Sequence, residues 1–331
     1  MTELPRKPKG KRRVLKAARR IVGEHGLAET KVRSARNAAK FAFGKPVSRR
    51  NFFAVRTGSR ERFGVFGMGG CDMRTIVGAG PRLAEVSDRT LCIGSFAKVD
   101  HTRSDLLLQT LDPPDESVTS EVVERLGLID SYFSPVLFEE DFAVPSQFGL
   151  GMFPKDVIVL GISSDVVRTL YRHREHGFLV DPGGWWLTAD MGAVLNDLSA
   201  VKWFAANFVK VHRIPVDESM ANFGRIIEEV RGRTGAFVVV LNVLTVDPGS
   251  SFLGYRHANS PNRVRRREFG LAAAELSARQ GVPLLDVDRL TKEIGISGQA
   301  DFVHYTPEQK SHIAREFAEL LIDAGVVGSR A

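Results

Sequence analysis

The 331-residue chain is 43% hydrophobic, enough for a buried core, and it has no apolar run approaching the roughly 18 residues that a membrane-spanning helix needs. Its two cysteines, Cys71 and Cys92, exclude a disulfide framework, and the N-terminus lacks the apolar segment of a secretory signal. We therefore expect a cytoplasmic protein of one large domain or two modest ones.

Charge divides the chain into a basic N-terminal arm, residues 1–62, and a mildly acidic body, residues 63–331. The arm holds 19 Lys and Arg against 4 Asp and Glu, net +15; the body holds 27 against 35, net −8, and the whole chain is +7. Helical spacing of Leu15, Ala18 and Ile21 predicts a short amphipathic helix in "RRVLKAARRIVGEHG", and "TKVRSARNAAKFAF" predicts a second. Such an arm binds the inner face of an anionic membrane, binds nucleic acid, or is only a solvated, flexible tail.

The body alternates between strand and helix patterns. Short apolar runs predict strands at residues 62–70, 90–96, 156–162, 236–244 and 282–287. Helical spacing predicts helices at residues 118–129, 188–208, 220–230 and 260–281. This alternation is typical of a three-layer α/β/α sandwich with a mostly parallel, flavodoxin-like sheet.

Polar residues follow these strands, where open parallel sheets place their binding sites. The first strand leads into glycines, Cys71 and Arg74, and the second ends at Gly94 and Ser95. The third is followed by Ser163 and Ser164. We expect these residues to line one crevice.

The segment "ADFVHYTPEQ" marks a helix start with a chemical pair just before it. Thr306, Pro307 and Gln309 form a capping box with proline in the first turn. Asp301 and His304 therefore lie in the preceding loop. One interpretation is that the Asp301 carboxylate orients the His304 imidazole for nucleophilic catalysis. The plainer interpretation is a loop His with a surface Asp beside it.

The order of these blocks resembles the SGNH/GDSL hydrolase superfamily over about residues 63 to 325. "GGCDMR" is similar to the Gly-Ser-Cys-x-x-Arg turn of a bacterial subgroup linked to cell-envelope polysaccharide genes. The resemblance implies that His304 is the general base, Asp301 its orienting acid and Gly94 an oxyanion donor. Gly70 stands where the family has its nucleophilic Ser, and Ser163 or Ser164 stands in place of its Asn.

Because glycine has no side chain to attack with, the nucleophile has three alternatives: Cys71, Ser95, or a water activated by His304. The resemblance implies an esterase, acyl hydrolase or acyltransferase acting on an ester of a glycan or glycan precursor, with Gly70, Gly94, Ser163, Ser164 and Arg74 in the oxyanion or binding set. The alternative is an inactive pseudoenzyme that binds a carbohydrate or anionic ligand. We predict no cofactor and no metal site, since no nucleotide-binding motif is present and His173 with His176 forms only one ligand pair.

Overall fold

A computed structural model gives the structure of the protein. It describes residues 47–49, 52–55, 62–69, 71–86, 90–95, 103–126, 128, 132–140, 154–181, 198–245, 260–296, 299, 302 and 304–327. The side chains of Cys71, Arg74 and residues 90–95 lie outside that description, as do the two helices expected at residues 12–26 and 30–43.

The main sheet contains seven strands in the described part of the chain, in the order β1-β2-β4-β3-β5-β9-β10. Its strands are β1 (Val47–Arg49), β2 (Phe52–Val55), β3 (Arg62–Met68), β4 (Thr90–Ser95), β5 (Val157–Gly161), β9 (Phe237–Leu241) and β10 (Leu284–Leu285). All neighbours from β4 to β10 are parallel, whereas β1 and β2 add an antiparallel edge beside β4. The mostly parallel sheet expected from the sequence is confirmed, and it extends into residues assigned to the basic arm.

Helices cover both faces of this sheet. A 3₁₀-helix (Cys71–Gly78) is followed by α1 (Ala79–Val86), α2 (Ser104–Gln109), α3 (Glu116–Leu126), α4 (Ser163–Val167), α5 (Leu198–Asn207), α6 (Val216–Thr234), α7 (Ser260–Gln280), α8 (Val287–Ile294) and α9 (Pro307–Asp323). Side chains alternate along the strands, so Ile158 joins a core with α2, α3, α6 and α7, while Val159 joins a second core with the 3₁₀-helix, α1, α8 and α9. The result is the three-layer α/β/α sandwich that the sequence predicts.

A small antiparallel sheet lies outside the sandwich and was not predicted. It has the order β7-β6-β8 and consists of β6 (Tyr171–His173), β7 (Leu179–Val180) and β8 (Phe208–Lys210). The helix expected over residues 188–208 begins at Leu198 within the described residues, and it ends at Asn207, directly before β8. Aromatic residues hold this region together, with the Tyr171 and Phe204 rings 4.9 Å apart and edge to face.

Two buried basic side chains, Lys155 and Arg103, connect separate chain segments through hydrogen bonds to backbone carbonyls. The Lys155 ammonium, which is 5% exposed, donates to the carbonyl oxygens of Val136, Leu137 and Glu139 just before β5. Arg103 is 1% exposed and donates to the carbonyls of Arg168 and His212. These hydrogen bonds compensate for the desolvation of each charge. No helix among the described residues is long and apolar enough to cross a membrane.

Candidate active site

The carboxyl ends of β4, β3 and β5 lie side by side at one edge of the sheet. The register aligns Gly67 with Ser95 on one side and with Val159 on the other. Cys71 begins the 3₁₀-helix two residues after Gly69, and Ser163 begins α4 two residues after Gly161. The three chain segments that were expected to line one crevice therefore begin next to one another.

Two glycines allow the ends of β3 and β5 to approach closely. A Cβ atom on Gly161 would lie 3.1 Å from both the Met68 oxygen and Met73 Sδ, and 3.4 Å from Gly69 Cα. A Cβ on Gly69 would lie 2.9 Å from Met73 Cγ. A Cβ atom at either position would be crowded, so Met73 or the neighbouring backbone would have to shift to make room for it.

A buried hydrogen bond joins the turns that follow these strands. Ser163 Oγ donates to Asp72 Oδ1 at 3.1 Å, and the two residues are 4% and 1% exposed. Ser164 is also buried, and its hydroxyl has no hydrogen-bond partner among the described residues. The sequence indicated Ser163 and Ser164 but gave no sign that Asp72 would be the partner, since the two sides of this contact are 91 residues apart.

Asp165, in the first turn of α4, is a fully buried carboxylate. It accepts hydrogen bonds from Ser104 N at 2.8 Å, from Ser104 Oγ, and from Ser219 Oγ at 2.6 Å. Arg265 donates to the backbone oxygen of Asp165 at 2.8 Å. Burial raises the pKa of Asp165 to about 6, and the hydroxyl hydrogen bonds oppose part of that rise. Asp165 therefore ties the end of β5 to α2, α6 and α7.

His304 is exposed and stands two residues before the N-cap of α9. The predicted capping box is confirmed: Thr306 accepts from the Gln309 backbone and the Gln309 side chain accepts from the Thr306 backbone. The amide of Gln309 also donates to Gly295 O at 2.7 Å. The loop that carries His304 is thus fixed at its helical end.

The other end of this loop is held by Arg266. Phe302 is fully buried, and the Arg266 guanidinium carbon lies 4.2 Å from the centre of its ring. Arg266 Nη1 also donates to Leu244 O at 3.3 Å, which links the loop to the segment that follows β9. Asp301, the expected orienting acid, lies outside the described residues.

The 3₁₀-helix and α1, which follows it without a break, both pack on α9. A Cβ on Gly78 would lie 3.1 Å from Ala314 Cβ, and one turn later Arg82 pairs with Glu319.

The remaining expected site residues are placed less completely. Gly94 lies within β4, paired with Phe66 on one side and Phe52 on the other, and Ser95 is the last residue of that strand. Arg74 is within the 3₁₀-helix, one turn after Cys71. Gly70 lies outside the described residues, so its role as the substituted nucleophile position stays a prediction.

The His173 and His176 pair has a structural role. Its rings stack with centroids 4.9 Å apart, and His173 Nδ1 accepts from the backbone N–H of His176 at 3.2 Å. Asp181 pairs instead with Arg168. Across the described ranges, no three His, Cys, Asp or Glu side chains are grouped as metal ligands.

The sequence matches no protein-family model, and no curated protein is similar to it at a significant level. Solved structures with a similar fold include Axe2, an acetylxylan esterase from Geobacillus stearothermophilus, at 12% identity and TM-score 0.42, covering 83% of this chain and 100% of that one. An aryl esterase of M. smegmatis has 9% identity and TM-score 0.39, with coverages of 79% and 99%. A protein described as a GDSL-like lipase, from Parabacteroides merdae, has 10% identity and TM-score 0.40, with coverages of 82% and 99%. Because the sequence identities and TM-scores are low, the chemistry of the chain is inferred from its own residues.

Proposed function

We propose that the chain is an SGNH-like hydrolase that cleaves an ester, with Cys71 as nucleophile and His304 as general base. The packing of the 3₁₀-helix on α9 carries this proposal, because both helices lie in one layer and their starts, at Cys71 and Pro307, precede the contact of Gly78 with Ala314. Cys71 is preferred over Ser95 because Ser95 ends a neighbouring strand level with Gly67, before β3 reaches the turn. A thiol at a helix start also has a favourable setting for ionisation.

The reaction needs only these groups and water. His304 accepts the thiol proton, and the Cys71 sulfur attacks the acyl carbon while the carbonyl electrons move to oxygen. When the C–O bond to the alcohol breaks, His304 returns the proton to the leaving oxygen. Water, deprotonated by His304, then attacks the thioester, which releases the acid and restores the thiol.

Stabilisation of the oxyanion is assigned to the beginning of the 3₁₀-helix. The first N–H groups of a helix have no partner inside the helix, so they are available to a developing negative charge. The Ser163 to Asp72 hydrogen bond supports this role by holding the first turn against the end of β5. Asp301 is proposed to orient His304, and an acyltransferase would differ only in passing the acyl group to a sugar hydroxyl instead of water.

The proposed substrate is an acetyl or similar ester on a glycan or glycan precursor. The proposal is tested with p-nitrophenyl acetate and with acetylated sugars, using wild type, His304→Ala, Cys71→Ala and Ser95→Ala. The matched control is Cys92→Ala, since it removes the other thiol of the chain. We expect hydrolysis to be lost in the Cys71 and His304 variants and retained in the other two.

Two other outcomes of this experiment would support a different mechanism or a different function. Full activity in both Cys71→Ala and Ser95→Ala, with loss in His304→Ala, would mean that His304 activates water directly. A second candidate function is ligand binding without chemistry, which is favoured by Gly70 at the position of the family's Ser. Absence of hydrolysis in every protein, together with binding of a carbohydrate or anionic ligand by wild type, would support that candidate.

A further inference from the structure

An open groove runs between α6 and α7 on the outer side of the sandwich. Its volume is about 800 Å³, and its apolar lining comes from Val216, Met220, Ala221, Leu271 and Ala272. Leu271 is 69% exposed, the largest exposure among the large apolar side chains of the described residues. Leu271 and the apolar lining of the groove together form an exposed apolar surface that a partner can cover.

Charge at the groove selects the kind of partner. Asp217, Glu268 and Glu275 line it, whereas Arg279 is the one basic residue among its lining side chains. The groove is therefore apolar at its base with a net negative rim. An amphipathic helix with one apolar face and one basic face matches this pattern.

The chain contains such a segment outside the described residues. In "RRVLKAARRIV", residues 12–22, the apolar side chains Val14, Leu15, Ala18, Ile21 and Val22 share one helical face, and the Arg and Lys residues lie on the opposite face. We propose that this segment of the N-terminal arm binds the groove between α6 and α7 as a third helix, with its apolar face on Leu271.

The length of the connecting chain permits this contact. About 25 residues separate the segment from β1, and they can span up to about 80 Å when extended. In the sheet order, β1 is five strand spacings from β9, or about 24 Å. The connecting chain is therefore long enough for the segment to be placed at α6 and α7.

The test is hydrogen exchange of the full chain, followed by mass spectrometry on peptides that cover residues 12–22. We expect wild type to exchange these amides at least about tenfold more slowly than an unstructured peptide. Leu271→Glu should abolish the protection because it places a charge on the apolar contact. Val209→Glu, at a 43% exposed valine in β8 outside the groove, is the matched control and should retain it.

A second variant checks the role of charge without altering the apolar contact. The double variant Glu268→Lys, Glu275→Lys should lose most of the protection at low salt, since it turns the acidic rim basic. Coil-like exchange in wild type, or protection unchanged in Leu271→Glu, would overturn the proposal. It would also be overturned by protection that depends on protein concentration, which would mean a second copy, or that arises only with anionic vesicles or duplex DNA.

Discussion

Asp165 gives a pH dependence of stability that can be isolated by one substitution. Its carboxylate is fully buried and accepts three hydrogen bonds, from Ser104 N, Ser104 Oγ and Ser219 Oγ. Asp165→Asn keeps the size of the side chain. Its carbonyl oxygen can accept from Ser104 N, and its NH₂ can donate to the hydroxyls, which rotate to accept. The variant therefore removes the titration while it retains most of the contacts.

The expected magnitude follows from the two pKa values. The pKa of Asp165 is about 6 in the folded protein and 3.8 in its ordinary state, so between these values the folded protein binds the proton more tightly than the unfolded chain. The stabilisation is complete below the lower pKa and is lost as the pH rises through about 6. The full difference corresponds to about 3 kcal/mol, of which about 2 kcal/mol falls between pH 4 and pH 7.

The assay is urea unfolding of wild type and Asp165→Asn across this pH range. Subtracting the two free energies of unfolding cancels the other titrating groups, which both proteins share. We expect the wild-type value, relative to the variant, to fall by about 2 kcal/mol from pH 4 to pH 7. Parallel curves for the two proteins would refute the reasoning, because they would mean that the carboxyl titrates alike in the folded and unfolded states.

The remaining predictions concern packing, capping and the His304 loop. Gly64→Ala should lower the free energy of unfolding in urea by more than about 3 kcal/mol, because its Cβ would lie 1.9 Å from the Pro154 carbonyl oxygen. The control is Gly232→Ala in α6, whose Cβ would have nothing within 4 Å. That variant should raise the free energy of unfolding by about 0.5 kcal/mol. Thr306→Ala should lower the free energy of unfolding by about 1 kcal/mol through loss of the cap, and an unchanged value would contradict the capping role. Arg266→Met should reduce ester hydrolysis by about tenfold or more by releasing Phe302, and full activity would show that the loop needs no such support.

The central strands could be predicted because they are buried on both faces. All five residues of β5 are buried, so the sequence of the strand is an unbroken apolar run. The strands β6, β7 and β8 are only two or three residues long, which leaves too few positions for a pattern. The strands β1 and β2 were missed because their neighbourhood is rich in Arg and was interpreted as part of the arm.

In the candidate site, contacts between residues close in sequence could be predicted, whereas contacts between distant residues could not. The start of α9 was predictable because a capping box is formed by residues three apart. The Ser163 to Asp72 hydrogen bond and the cluster around Asp165 join residues 54 to 91 positions apart, and no local pattern encodes such partners. The stacking of Arg266 on Phe302 was hidden for the same reason, since the run of arginines fits an exposed helical face equally well.

The packing of the 3₁₀-helix on α9 has a consequence for synthesis on the ribosome. Cys71 is made 233 residues before His304, an interval of about 10 to 50 s at ordinary elongation rates. During that time β3, β4 and β5 can already pair, but the core beside the 3₁₀-helix still lacks the Ile313 and Phe317 side chains of α9. If Cys71 and His304 act as proposed, the nascent chain gains the base of its site only as the last layer of the sandwich closes.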